Sequence, residues 1–355
     1  MFARRPELAA AMPAQAGSTR GLAGLELGAL ANPAVGAAGA GVLLLIATIG
    51  AIALIGDPRA GAPRVRISLA QPAADAAAAL AAAPVGPNQA LISLGDQSAL
   101  PAAPIAGLTA PGPGGLLPII AADGRTPSDA YARPFRDNGA PKVALVIGGL
   151  GLNAKATRDA IEQLPAEVTL SFVPYADGLQ GWIDLARQHG HEVLLETPME
   201  PVDYPQNDPG PYTLMANDPA PETTKRMEWL LSRATGYFGV TNYLGGKFLA
   251  SDPAMGVFTA NLRKRGLAFL DDGSAAGRGP GVPRASADRV IDENLDGGSI
   301  TQELAGLEDS ARQRGRALGS GFAYPVTLQQ VQQWASGLGG RGLVLAPASA
   351  VTGRR

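Results

Sequence analysis

The chain has 355 residues, 46% of them hydrophobic and 17% charged, and its 29 basic and 31 acidic side chains give a formal net charge of −2. That balance, with no basic stripe, excludes a surface that tracks nucleic-acid phosphates. The absence of cysteine excludes disulfides and thiolate metal sites.

Composition changes sharply along the chain. No charged residue occurs from Leu27 to Gly56, and the run from Val42 to Ile55, with the small residues before it, reaches the ~20 residues needed to cross hydrocarbon. Residues 34–56 are therefore expected to form one transmembrane anchor behind a cytoplasmic tail, residues 1–33. A cleaved signal peptide fits less well, because the run starts far from Met1 and no small-residue cleavage site follows Ile55. Arg4, Arg5 and Arg20 before the span nearly balance Arg59, Arg64 and Arg66 after it, so the charge rule only slightly favours an inside N-terminus and an outside domain. Residues 57–140 are rich in Ala, Pro and Gly with little periodicity. They read as a disordered spacer, too poor in apolar surface to offset the entropy of ordering.

From Pro141 to Thr352 strand-like and helix-like stretches alternate. Val143–Ile147 is a buried strand that opens through Gly148, Gly149 and Gly151 into a helix capped by Asn153 and running to Leu164. Strand Val168–Phe172 follows, then a helix from Gly178 to His189 with Asp177 as its cap, then strand Val193–Leu195. The stretch from Pro198 to Pro219 is a long loop whose Tyr204, Tyr212 and acidic residues suit a wall against a polar ligand. Asp218 and Pro219 open a helix to Ala234. Next come strand Phe238–Asn242, helix Asp252–Arg265, strand Leu267–Leu270 ending in Asp271-Asp272-Gly273, and strand Arg289–Ile291 meeting Asp292. A helix through Ile300, Leu304, Leu307 and Ala311, a weak strand Ala317–Ser320, a helix through Leu328, Val331 and Trp334, and strand Leu343–Ala346 complete the pattern. Such alternation predicts an α/β fold of seven or eight parallel strands in a (β/α) barrel. Residues 273–288 are too rich in Gly and Pro for a crossover helix, so the wall is expected to be open or irregular there.

Chemistry in such a fold collects at strand C-termini. The two histidines, His189 and His191, sit at the opposite end, which argues against an imidazole metal site or a Ser-His-Asp triad. Gly149-Leu-Gly151-Leu-Asn-Ala154 fits a dinucleotide fingerprint, but the next strand ends Ser171-Phe-Val-Pro-Tyr175 without the acidic residue a ribose requires. Glu196 and Glu200, Asp271 and Asp272, and Asp292 lie at or after strand ends, where converging carboxylates can do acid/base work or hold sugar hydroxyls. Asp271-Asp272-Gly273 reads equally well as a plain turn.

The segments GHEVLLETPMEP from Gly190, PGPYTL from Pro209, FGVTNYLGGKF from Phe238, GLAFLDDGSA from Gly266 and ALGSGFAYPVTL from Ala317 together resemble the divergent polysaccharide deacetylase family. The resemblance covers roughly Pro141 to Ala350. It implies a (β/α) barrel related to carbohydrate deacetylases, in a protein exported to or anchored in the cell envelope, which supports the outward orientation. Three departures fall on the metal-binding set that the resemblance implies. Gly148-Gly149 stands where an Asp-Asp pair is common, Asn242-Tyr243 where Asn-His is, and Gly321-Phe322-Ala323 where Gly-His-Pro is. The expectation is thus an inner-membrane, single-pass protein with a periplasmic domain that binds an envelope glycan, holds no metal or other cofactor, and has lost metal-dependent deacetylation. Gly148, Gly149, Asn242, Tyr243, Asp292 and Phe322 would line its ligand site. The rival is an active hydrolase or deacetylase using Asp271, Asp272 and Glu200, and a third reading is a scaffold without a ligand.

Overall fold

The computed structural model describes residues 99–275 and 277–353. The expected cytoplasmic tail and membrane span lie outside the described residues, as does the first half of the expected spacer. Among the described residues no helix is long and apolar enough to cross a membrane.

A hairpin of β1 (Thr109–Gly112) and β2 (Gly115–Pro118) comes first, followed by a short helix α1 (Pro127–Ala130). The large sheet contains β3 (Lys142–Leu150), β4 (Thr169–Phe172), β5 (Val193–Met199), β6 (Gly239–Leu244), β7 (Ala268–Asp271), β8 (Arg284–Ser286), β9 (Arg289–Val290), β10 (Arg316–Phe322) and β11 (Val344–Leu345). Helices α2 (Ala154–Gln163), α3 (Leu179–Gln188), α4 (Ala220–Leu231), α5 (Gly246–Ala250), α6 (Asp252–Arg265), α7 (Gly297–Arg314) and α8 (Pro325–Ser336) join them. Asn153 caps α2 as expected, its side chain accepting the Ala156 N–H at 3.0 Å. The caps expected at Asp177 and Asp218 are not used. The residue before α3 is Gly178 in the left-handed region, and Asp218 pairs with Arg226 at 3.3 Å.

Every pairing in the large sheet is parallel, in the order β8-β7-β6-β5-β4-β3-β10-β9, with β11 beside β3. The two ends of this order belong to one short stretch of chain. The Ala287 N–H donates to the Asp271 carbonyl at 2.8 Å and the Asp288 N–H to the Leu318 carbonyl at 2.7 Å, so hydrogen bonding passes from β7 to β10 within two residues. The sheet therefore curves in the manner of a (β/α) barrel. The described residues of 273–283 indeed carry no helix, but the stretch expected to be open over 273–288 includes β8, and β9 follows it. β8 was not legible as a strand because Arg284-Ala-Ser286 shows no apolar alternation.

Side-chain parity separates two cores, as period-two alternation requires. Ala144 and Val146 of β3, Leu194 of β5, Ala268 and Leu270 of β7 and Leu318 of β10 form the inner cluster, while Leu145 and Ile147 join the outer one with the helices. Leu108, Ala121 and Tyr131 from the N-terminal segment, with Ala348 and Val351 from the C-terminal turn, complete the inner cluster at the strands' N-terminal end. That foot also holds a buried polar knot. Glu192 accepts from the Thr169 hydroxyl at 2.8 Å, the Ser349 N–H at 2.8 Å and the Arg133 N–H at 3.1 Å.

The spacer expected over 57–140 is thus corrected for residues 99–140, which belong to the same compact unit as the sheet. Arg187 at the end of α3 explains how so bland a segment is held. Its buried guanidinium donates to the carbonyls of Pro101 at 2.9 Å, Tyr131 at 3.1 Å and Gly236 at 3.0 Å and lies over the Tyr131 ring. Burial lowers its pKa to about 10.

Candidate functional site

The parallel strands bring Gly148, Glu196, Asn242, Asp271, Asp292 and Phe322 to one end of the sheet. Between Ile147 and Leu150 the β3–β4 register slips by one residue, a bulge centred on Gly148 and Gly149. Gly149 takes φ +74, a conformation glycine adopts without strain. The bulge aims its N–H at Glu196 of β5, whose Oε1 accepts it at 2.6 Å and also accepts the Ser171 hydroxyl at 3.0 Å. No donor among the described residues reaches Oε2, although the residue is only 3% exposed. Burial pushes the Glu196 carboxyl up to about 7, against the opposing effect of its two donors.

Gly148, expected to line the ligand site, lies against the Glu196 carboxyl. A Cβ there would lie 2.7 Å from the Ser171 hydroxyl oxygen and 2.9 Å from Glu196 Oε1, so the Glu196 carboxyl occupies the place of a β3 side chain. A Cβ on Gly149 would stand 3.2 Å from the Phe322 ring. Above this floor Tyr243 and Phe322 meet edge to face with centroids 6.5 Å apart, and Tyr324 lies 6.3 Å beyond Phe322. Each of the three rings is more than a third exposed. Burial, aided by the nearby Glu196 charge, raises the Tyr243 hydroxyl above its ordinary range.

The remaining expected site residues are tied into the frame. Asp271 is buried, and its carboxylate accepts from the N–H groups of Gly273 and Ala275 at 3.0 and 3.1 Å, from Arg284 at 2.9 Å and from the Ser286 hydroxyl at 2.7 Å. Its lone pairs are spent on the turn that launches β8. Glu200 is likewise engaged by the Ala216 N–H and the Lys247 ammonium, both at 2.7 Å, which fastens the 200–219 loop and α5 to the end of β5. Asn242 accepts the Asp272 N–H at 3.1 Å and donates to the Leu244 carbonyl at 2.7 Å. Asp292 holds the Phe322 N–H at 2.7 Å and the Thr327 hydroxyl at 2.9 Å through Oδ2, while its buried Oδ1 has no partner beside Gly321. Burial raises the Asp292 pKa. Asp272 keeps one carboxylate oxygen at the solvent side, capping Ser274 with the other. It borders a groove of about 590 Å³ that also involves Glu293, Asn294, Gln302 and Glu303, where a crossover helix is missing.

The loop expected as a ligand wall is mostly withdrawn. Tyr212 stacks on Trp229 of α4 with ring centroids 3.6 Å apart, and its N–H donates to the Tyr175 hydroxyl at 3.0 Å. Tyr204 remains partly exposed. Ser171 and Tyr324 carried no signal in the sequence. Glu196 did, since a strand extended past Leu195 gives it the inward parity of Leu194, an unusual place for a charge.

The residues present do not suit the divalent metal that the fold family implies. Gly148, Gly149 and Phe322 supply no side-chain ligand atom, and no three His, Asp or Glu residues among those described are placed to share an ion. His191 is at the foot of the sheet, with its ring nitrogens 2.8 and 3.0 Å from the Val168 and Ile161 carbonyls.

Comparison with known proteins places this geometry. The crystal structure of the uncharacterized protein ATU2773 from Agrobacterium tumefaciens superposes with a TM-score of 0.65 at 41% identity, covering 67% of this chain and 99% of that one. An uncharacterized protein of Haemophilus influenzae is 24% identical over 198 residues, 54% of this chain and 70% of its own length. The uncharacterized protein YibQ of Escherichia coli is 22% identical over 201 residues, 55% of this chain and 62% of its own length. The family model for divergent polysaccharide deacetylases matches residues 145–352, and the chain belongs to that family.

Proposed function

We propose that the protein is a glycan-binding member of this family, held at the cell envelope, in which a sugar-stacking mouth has replaced metal-dependent deacetylation. The observation that carries the reading is the exposed trio Tyr243, Phe322 and Tyr324 set around the buried Glu196 at the strands' C-terminal end. Two of these rings stand at the positions where histidines would be expected. Aromatic faces bury the apolar faces of pyranose rings, while the polar groups beside them meet the equatorial hydroxyls. The family's name supports a polysaccharide as the ligand. The uncharged stretch from Leu27 to Gly56 supports an inner-membrane anchor with this domain in the periplasm.

Calorimetric titration with chitotetraose and with soluble peptidoglycan fragments tests the reading. Binding is expected for at least one of them, to weaken about tenfold or more in Phe322→Ala, and to survive dialysis against EDTA. Turnover of the acetylated ligand that EDTA abolishes would overturn the metal-free reading.

A further inference from the structure

Glu196 is a poor choice for a purely structural carboxyl. Its Oε1 is fixed by the Gly149 N–H and the Ser171 hydroxyl, and the absence of a side chain at Gly148 leaves the carboxyl in a slot it fills. A half-turn of the carboxylate only exchanges its two equivalent oxygens, so one oxygen always remains outside the Gly149 and Ser171 bonds. Oε2 is thus held toward the mouth with no protein donor among the described residues, in a residue that is 3% exposed. Oε2 is not one of the buried oxygens left without a partner, so it is the accessible atom of an otherwise desolvated carboxyl, open to a ligand hydroxyl in place of water.

Resting on the glycan-binding reading, we propose that Glu196 is the residue that hydrogen-bonds the bound sugar, through Oε2, and that it admits an uncharged sugar while rejecting one that bears a carboxylate. The surroundings supply the selectivity. The groups that meet the carboxyl are Gly148 and Gly149 of β3 and Ser171 of β4, with the Phe322 ring beside Gly149. The titratable groups facing the carboxyl are Tyr243 of β6 and, behind it, Tyr324. No cation stands among these neighbours, so a second negative charge brought into the mouth meets an uncompensated acid in a poorly hydrated place. A sugar hydroxyl pairs Oε2 whether the carboxyl is ionised, as an acceptor, or protonated, as a donor. Burial keeps the group near the point where both forms are available at neutral pH.

The experiment is calorimetric titration of the full-length protein with chitotetraose, which is uncharged, and with tetragalacturonate, which is anionic, at mildly alkaline pH. Wild type is expected to bind the first and not the second. Glu196→Gln keeps an Oε1 acceptor for Gly149 and Ser171 and removes the charge. It is expected to hold chitotetraose within about threefold of wild type and to gain measurable tetragalacturonate binding, whereas Glu196→Leu loses about tenfold or more for chitotetraose. A folded Glu196→Leu that binds like wild type while Phe322→Ala does not, or a Glu196→Gln with unchanged selectivity, overturns this role and leaves the glycan-binding reading standing. Wild-type protein that binds neither these sugars nor peptidoglycan fragments overturns both.

Discussion

Two adjacent aspartates at the end of β7 show how differently neighbouring carboxyls can be employed. Asp271 collects four donors, one of them the guanidinium of Arg284, and its side chain is fully buried. Asp271→Ala strands those donors and is expected to cost about 3 kcal/mol or more of stability in urea unfolding. Asp272→Ala loses one exposed turn contact and is expected to stay within about 0.5 kcal/mol. Equal effects from the two would contradict the network. From sequence the pair read as mouth carboxylates or a turn, and nothing in it distinguished the two residues, because Asp271's partner Arg284 comes from a strand that the sequence pattern concealed. Glu196 permits a second test by linkage. Its pKa rises from 4.5 in the unfolded chain to about 7 in the fold, so between those values the unfolded chain releases a proton that the folded one keeps. Wild-type stability therefore falls as pH rises through that window. Glu196→Gln is spared this loss, and relative to wild type it should gain about 3 kcal/mol above pH ~7, with the gain vanishing below pH ~4.5. A stability difference independent of pH would overturn the buried-acid account.

At the scale of elements, the alternating core was legible because β3, β5 and β7 carry apolar runs and the helices between them carry periodic apolar faces, the first of them capped by Asn153. What stayed hidden was held by single anchors. Residues 99–133 have the composition of a linker, yet Leu108, Leu117, Ala121 and Tyr131 are buried and Arg187 reaches across to their carbonyls. No local pattern announces such a segment, since its partner is a lone arginine in α3 that sequence reading placed on a helix end and assigned no task. A chain starting at Pro141 therefore leaves that buried cation without two of its three carbonyl partners and uncovers the foot of the inner core. Relative to a chain starting at Ala99 it is expected to lose at least about 4 kcal/mol of stability, or to aggregate. Equal melting temperatures for the two would show that the segment only decorates the domain. The same logic applies to β8, which is too short to read as a strand and pairs with no strand but β7, whereas β9, paired with β10, was legible as Arg289–Ile291.

Across the whole domain, the two poles of the sheet divide the work. Both ends of the described chain gather at the foot, where Leu100 donates to the Arg187 carbonyl and Gly353 exchanges hydrogen bonds with Arg284, while the aromatic mouth occupies the other pole. Chain attachment at the foot and ligand access at the mouth therefore lie on different surfaces. This polarity has a mechanical meaning. A pull applied at Ala99 acts on the foot of the sheet, so the load falls first on the Leu100 bond to Arg187 and the Arg187 bond to Pro101 and not on the aromatic mouth at the other pole.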